Sequence, residues 1–177
     1  MTLSRVTIAT PLGPMLALAS DEGLCALEFD GSADRHDRLE RRLARWFPPH
    51  EIADRSSAVL DRTRAWLHAY FGGDSREPRD LPLDMRGAPF ELQVWSALRE
   101  IPAGETTSYG AMARRLRAPG ASRAVGAANG ANPVSIIVPC HRVIGSSGAL
   151  TGYGGGLDRK KWLLAHEAQW RRDARLF

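Results

Sequence analysis

The sequence predicts an α+β fold in two parts. An N-terminal antiparallel-sheet domain with helices is expected over residues 1–82, and a mainly helical C-terminal domain over residues 83–177. Three observations predict it. The first 30 residues are short apolar runs broken by turn residues. From Pro89 onward apolar residues recur at helical spacing. A polar stretch holding Pro78 and Pro82, residues 74–87, lies between and reads as the linker. In the second part the pattern predicts a helix-turn-helix and a short buried strand just before Cys140.

In order along the chain, Val6–Ala9, Met15–Ala19 and Leu24–Phe29 read as strands. Pro11-Leu12-Gly13-Pro14 and Asp21-Glu22-Gly23 turn them into an antiparallel meander. A highly charged helix is expected from Ala33 to Phe47, closed by Pro48-Pro49. Another is expected from Ser57 to Phe71, with Leu60, Thr63, Leu67 and Phe71 on one stripe, ending at Gly72-Gly73. Pro89 suits the first turn of a helix whose Phe90, Val94, Leu98 and Ile101 form an apolar face. Ser108 can cap Tyr109–Leu116, and Arg117-Ala118-Pro119-Gly120 turns into a further helix from Ala121 that fades by Gly130–Pro133. Ser135–Val138 is apolar, β-branched and short, which predicts the buried strand. Asp158 is expected to cap a last helix, Arg159 to Ala168.

Composition narrows the function classes. No run of some 18 apolar residues is present, which argues against a transmembrane helix. The first residues lack the apolar core of a signal peptide. The two cysteines have neither CxxC nor Cys/His ligand spacing, which argues against a disulfide framework and a zinc finger, and Cys25 reads as core. A reducing, cytoplasmic setting and no membrane partner are the expectation. Residues 1–85 hold 11 Arg and 14 Asp or Glu, whereas residues 86–177 hold 13 Arg or Lys and 6 Asp or Glu. That asymmetry points to a polyanionic partner for the C-terminal part. Lys160 and Lys161 are the only lysines among the cations.

Pro139-Cys140-His141-Arg142-Val143 is the stretch with the most chemistry. A thiol ionises only slightly at neutral pH and burial suppresses it further, so a base within reach is what would make it a nucleophile. Taken alone, the dipeptide reads more readily as a small buried residue beside a surface histidine, because free cysteine is among the most buried residue types. Glu167, on the last helix, could orient His141 in a Cys-His-Glu arrangement, or could be a solvated helix residue. The helix from Ala121 is nearly bare, with Ala121, Ala124, Gly126, Ala127, Ala128 and Gly130. It offers Arg123 and little else for base readout in the major groove. Two readings stay open: close sequence-independent docking in a minor groove with Arg123 entering the base stack, or a small-residue helix packed on its neighbour. The glycines at 152 and 154–156 lack phosphate-cradle spacing and suit a mobile wall over a flat ligand.

The C-terminal half resembles the O6-alkylguanine-DNA alkyltransferase family (methylated-DNA–protein-cysteine methyltransferases). The matching stretches are Phe90–Trp95, Ile101–Thr106, Ser108-Tyr109, Arg123–Gly126, Asn132-Pro133, Ile137–Ile144, Gly152-Tyr153 and Trp162–Glu167. The N-terminal half resembles it more loosely, through Pro11–Pro14 and Tyr70–Gly73, and by the resemblance is a ribonuclease-H-like domain.

The resemblance implies repair by direct reversal, in which O6-methylguanine, and O4-methylthymine with it, is flipped out of double-stranded DNA and its alkyl group passes irreversibly to Cys140. It implies that Cys140 attacks, His141 acts as base through a water, Glu167 orients His141 and Asn132 supports the backbone of the site. Arg123 would fill the gap in the stack, with Tyr109, Ala121, Ser122 and Ala124 on the DNA side in the minor groove, independent of sequence. Tyr109, Val143, Tyr153 and Gly154 would line the base pocket, with the carbonyls of Cys140 and Val143 accepting from the guanine amine. A thioether offers water no carbonyl to attack, so each molecule acts once, with no cofactor and no metal. A monomer is expected, with cooperative loading on DNA left open. Gly154 stands where some relatives have serine, and Asn129 where some have an apolar residue. A turnover Cys-His hydrolase and a non-catalytic DNA-binding regulator are the rival readings.

Overall fold

A computed structural model describes residues 1–174 of the chain. The chain divides into two compact units, Met1–Asp74 with Pro78–Gly87, and Ser75–Glu77 with the chain from Ala88 onward. The end of the expected C-terminal domain, residues 175–177, lies outside the described residues.

The first unit is built on the expected meander. β1 (Thr2–Ile8), β2 (Met15–Ala19) and β3 (Leu24–Phe29) pair antiparallel, in register from Ser4 opposite Ala19 to Ile8 opposite Met15. A fourth strand, β4 (Glu51–Ala53), adds parallel to β1 and gives the order β3-β2-β1-β4. The sequence reading missed it because three residues, two of them exposed, carry no alternation. α1 (Ala33–Trp46) packs Leu39 and Leu43 with Phe47 against Leu3, Leu18, Cys25 and Ala26. α2 (Ala58–Phe71) is capped by Ser57 and buries Leu60, Thr63, Leu67 and Tyr70. Its expected stripe therefore ends on Tyr70 rather than Phe71.

Residues 74–87 are not a free linker. Leu24 N–H donates to Pro82 O at 2.9 Å, and Asp84 N–H donates to Leu24 O at 3.0 Å. The buried Asp84 carboxylate takes hydrogen bonds from Ser20 Oγ (2.7 Å) and from Arg86 (2.9 and 3.0 Å). Gly23 makes this closeness possible, since a Cβ there would lie 2.7 Å from the Pro82 carbonyl. Proline content signalled a linker, but the backbone pairing with Leu24 and the buried Ser20–Asp84 hydrogen bond fasten Pro78–Gly87 to the first unit.

The second unit follows the helical text closely. α3 (Pro89–Leu98) has Pro89 in its first turn, and Glu91 Oε2 accepts from Ala88 N–H at 2.8 Å. α4 (Tyr109–Arg115) is capped by Ser108, whose Oγ accepts from Ala111 N–H at 3.1 Å. α5 (Ser122–Gly130) follows after a turn and shows Arg123, Ala124 and Ala127 to solvent while burying Val125, Ala128 and Asn129. The indole N–H of buried Trp95 donates to Ala128 O at 2.8 Å and ties α3 to α5. β5 (Thr107–Ser108) and β6 (Val143–Ile144) form a two-residue parallel pair that the sequence did not signal. α6 (Leu157–Ala174) starts earlier and runs further than expected, so Asp158 lies inside its first turn rather than capping it.

The short buried strand expected before Cys140 does not form. Residues 134 and 136–138 are buried, but the segment coils through tight turns, with Ile137 N–H on Ser135 O (2.8 Å) and Val138 N–H on Val134 O (3.0 Å). Ile136 sits at φ 70°, outside any strand geometry. Apolar, β-branched composition reports burial here, and the segment's polar groups are met within the turns and by Asn132. No described helix is long and apolar enough to cross a membrane.

Candidate active site

The site grows from the turns that precede it. Asn132 Nδ2 donates to Val138 O (2.8 Å) and Val134 O (3.4 Å), while its Oδ1 accepts from Val134 N–H (3.0 Å). One side chain thus holds both ends of the coiled segment. Pro139 then leads into a single 3₁₀ turn, Cys140–Arg142, buried throughout. Consecutive residues of such a turn point in different directions, so the thiol, the imidazole and the guanidinium fan out from one place.

Two of the three converge on Glu167. His141 is fully buried, and its Nε2 lies 2.8 Å from Glu167 Oε1, itself buried on α6. Arg142 grips the same carboxylate with Nε on Oε2 (2.9 Å) and Nη2 on Oε1 (2.9 Å). Its Nη1 donates to Ile101 O (2.6 Å) and Glu77 Oε1 (3.0 Å). Burial opposes the charge on Glu167, but the imidazole and guanidinium outweigh it and hold the carboxyl well below the ordinary range. An ionised Glu167 needs a donor facing it, so Nε2 carries the proton and Nδ1 is the basic nitrogen. Nδ1 is buried and bonded to no protein group. Gly104 lets α6 approach this closely: it has φ 83°, and a Cβ would lie 3.0 Å from Glu167 O.

Cys140 itself is 5% exposed. Burial pushes its thiol up, opposed by Asn132, the Lys160 ammonium and the backbone N–H groups of Cys140 and His141. Lys160 is fully buried, with Nζ donating to Val143 O (2.6 Å) and Thr151 O (2.8 Å). Burial lowers its pKa, and Cys140 partly restores it. Cys25 offers the contrast: burial drives its thiol up to about 11, Ser20 counters only in part, and it packs in the core as expected. Of the two cysteines, only Cys140 is followed in the chain by an imidazole held in place by a carboxylate.

The remaining expected residues fall in two groups. Val143 N–H donates to Cys140 O across the 3₁₀ turn, and the Tyr153 ring is edge-on to His141 with centroids 6.4 Å apart. Gly154 is exposed on the adjoining loop, and a Cβ there would meet nothing within 4 Å, so packing does not demand glycine. Ala121, Ser122, Arg123 and Ala124 sit at the start of α5, with Arg123 and Ala124 exposed. Tyr109 stands at the head of α4, positioned by the β5–β6 pair; its Oη donates to Thr151 O at 3.4 Å and its ring lies against Gly126. Arg142, Lys160 and Asn129 belong to the site but were not among the expected residues. The rarity of lysine in an arginine-rich chain was the available signal for Lys160. For Asn129, whose Nδ2 donates to Cys140 O at 3.2 Å, it was the polar residue on a bare helix. Among the described residues no cluster of three or more His, Cys, Asp or Glu is placed to hold a metal.

Residues 89–169 match the family described as 6-O-methylguanine DNA methyltransferase, DNA binding domain, and residues 4–85 match its ribonuclease-like domain. A methylated-DNA–protein-cysteine methyltransferase of Salmonella typhimurium is 47% identical over 173 residues, covering 94% of this chain and 96% of the relative. The chain belongs to the methylated-DNA–protein-cysteine methyltransferase family. The relative of that name in Mycobacterium tuberculosis is 46% identical over 161 residues, covering 91% and 90% of the two chains. The crystal structure of Mycobacterium tuberculosis OGT in complex with DNA superposes with a TM-score of 0.78 at 41% identity, covering 96% of this chain and 94% of that one. The α+β class expected from the sequence holds, without a strand before Cys140.

Proposed function

We propose that this methyltransferase repairs DNA by direct reversal, taking the alkyl group of O6-methylguanine onto Cys140 once per molecule. The observation that carries the reading is the His141–Glu167 pair at 2.8 Å beside a buried thiol. It leaves Nδ1 as the only imidazole nitrogen able to take the thiol proton, directly or through one water. Thiolate sulfur attacks the alkyl carbon, the C–O bond breaks, and guanine O6 leaves with the electron pair and is protonated. The Lys160 ammonium favours the thiolate before attack. The product is a thioether, which has no carbonyl for water to attack, and this explains a stoichiometric rather than recycling reaction.

Double-stranded DNA bearing the lesion is the substrate, bound from the minor groove without regard to sequence. The exposed small residues of α5 suit close approach to the duplex, and Arg123 fills the space of the flipped base. Ala121, Ser122, Ala124 and Tyr109 meet the backbone near the lesion. Val143, Tyr153 and Gly154 line the base pocket, and Asn132 keeps the 134–138 turns and hence Cys140 in place. O4-methylthymine is the second substrate. The protein works as a cytoplasmic monomer.

Intact mass after incubation with a duplex containing O6-methylguanine tests this. The expected result is a gain of one methyl group, about 14 Da, on Cys140 and nowhere else. An unmodified Cys140, or many turnovers per molecule, overturns the reading.

A further inference from the structure

The carbonyl of Cys140 has no acceptor capacity left. It takes Val143 N–H across the 3₁₀ turn and Asn129 Nδ2 at 3.2 Å, and a backbone carbonyl has two lone pairs. The amide of Asn129 cannot be turned round, because a carbonyl facing a carbonyl would set two acceptors against each other. Asn129 is 4% exposed, so this contact is made away from water. An apolar residue at 129 would leave the second lone pair of Cys140 O open to a base in the pocket.

We propose that Asn129 is a specificity-determining residue: by capping the Cys140 carbonyl it withdraws the acceptor that would otherwise read the 2-amino group of guanine. The inference rests on the reading of Cys140 as the alkyl acceptor for a flipped base. The Val143 carbonyl, which already accepts from Lys160 Nζ at 2.6 Å, keeps its second lone pair for one amine hydrogen. A base with hydrogen or a carbonyl at position 2 then strands no buried acceptor on Cys140, and unmet buried acceptors are what make such discrimination steep. Asn129 Oδ1 is itself buried without a protein partner, and were it the group that reads the amine, replacing Asn129 would lower the preference for guanine rather than raise it. The pocket therefore tolerates O4-alkylthymine, which carries a carbonyl there.

The test compares single-turnover transfer from two duplexes, one with O6-methylguanine and one with O6-methylhypoxanthine, which is the same lesion without the 2-amino group. Wild type should favour methylguanine by about fivefold, the worth of one hydrogen bond. Asn129→Leu should free Cys140 O and raise that preference a further fivefold or so, to about 25-fold. Asn129→Met serves equally if the leucine variant does not fold. A merely structural role slows both substrates alike and leaves the ratio unchanged, which would overturn the proposal. A falling ratio would also overturn it, since Asn129 would then be reading the amine itself. A wild-type preference of about a hundredfold or more refutes it without any variant. If wild type takes methyl from neither duplex, the alkyl-transfer reading fails first, and this inference with it.

Discussion

Glu167→Gln separates orientation of the base from support of the fold. The carboxylate accepts one hydrogen bond from His141 and two from Arg142, all at 2.8–2.9 Å and all buried. Glutamine keeps one acceptor of similar shape but loses the charge, and its amide nitrogen confronts a donor. Removing one partner from a buried ion pair costs about 3–5 kcal/mol, and the retained acceptor and the Glu77 carboxylate on Arg142 put this case at about 3 kcal/mol. For a chain of this size that is a fall in Tm of about 6–12 °C. Transfer should slow by more than stability explains. Without the carboxylate the imidazole is free to protonate on the wrong nitrogen, and its cation loses its partner. Loss of a positioned general base costs about 10²–10⁴-fold. Rapid-quench incubation with methylated duplex, read as methylated Cys140 by intact mass well below the lowered Tm, gives the rate across pH 6–9. A variant that melts early yet transfers within about threefold of wild type at every pH would show Glu167 to be a structural brace, and the tautomer argument would be wrong.

Three further outcomes are expected. Stability contributed by Glu167 is fully present above its unfolded pKa of about 4.3 and is lost as pH falls through its depressed folded value. Urea melts of wild type from pH 6 to 3 should therefore weaken with acid, and Glu167→Gln should show a shallower slope; equal slopes would contradict the assignment. Gly104→Ala, at φ 83° with Glu167 O 3.0 Å from the new Cβ, should destabilise by about 1–3 kcal/mol and slow transfer by displacing α6, checked by melts and rapid quench. Arg123→Ala should slow transfer in duplex DNA about tenfold more than in single strands, where no stack has to be held open. Equal loss on both would remove the base-replacing role.

Much of the fold was legible from residue patterns because its determinants are local. Ser57 and Ser108 cap helices within three residues of themselves, and Pro89 marks a helix start by its own geometry. β4 and the β5–β6 pair were not legible, since two or three residues become strands only when a distant partner offers its edge. The buried segment before Cys140 shows the limit in another way: its composition specified burial, but Asn132 and the turns decided its path. The sequence by itself determined the helical frame, the charge asymmetry and the Cys-His pair with a carboxylate on the last helix. Tertiary structure alone decided that Glu167, 26 positions away, meets His141, that Arg142 and Lys160 are buried cations of the site, and that Asn129 caps the Cys140 carbonyl. Side-chain chemistry is written residue by residue, but a desolvated hydrogen bond depends on two residues arriving at one place, and only the packing of α5 and α6 around one 3₁₀ turn provides that.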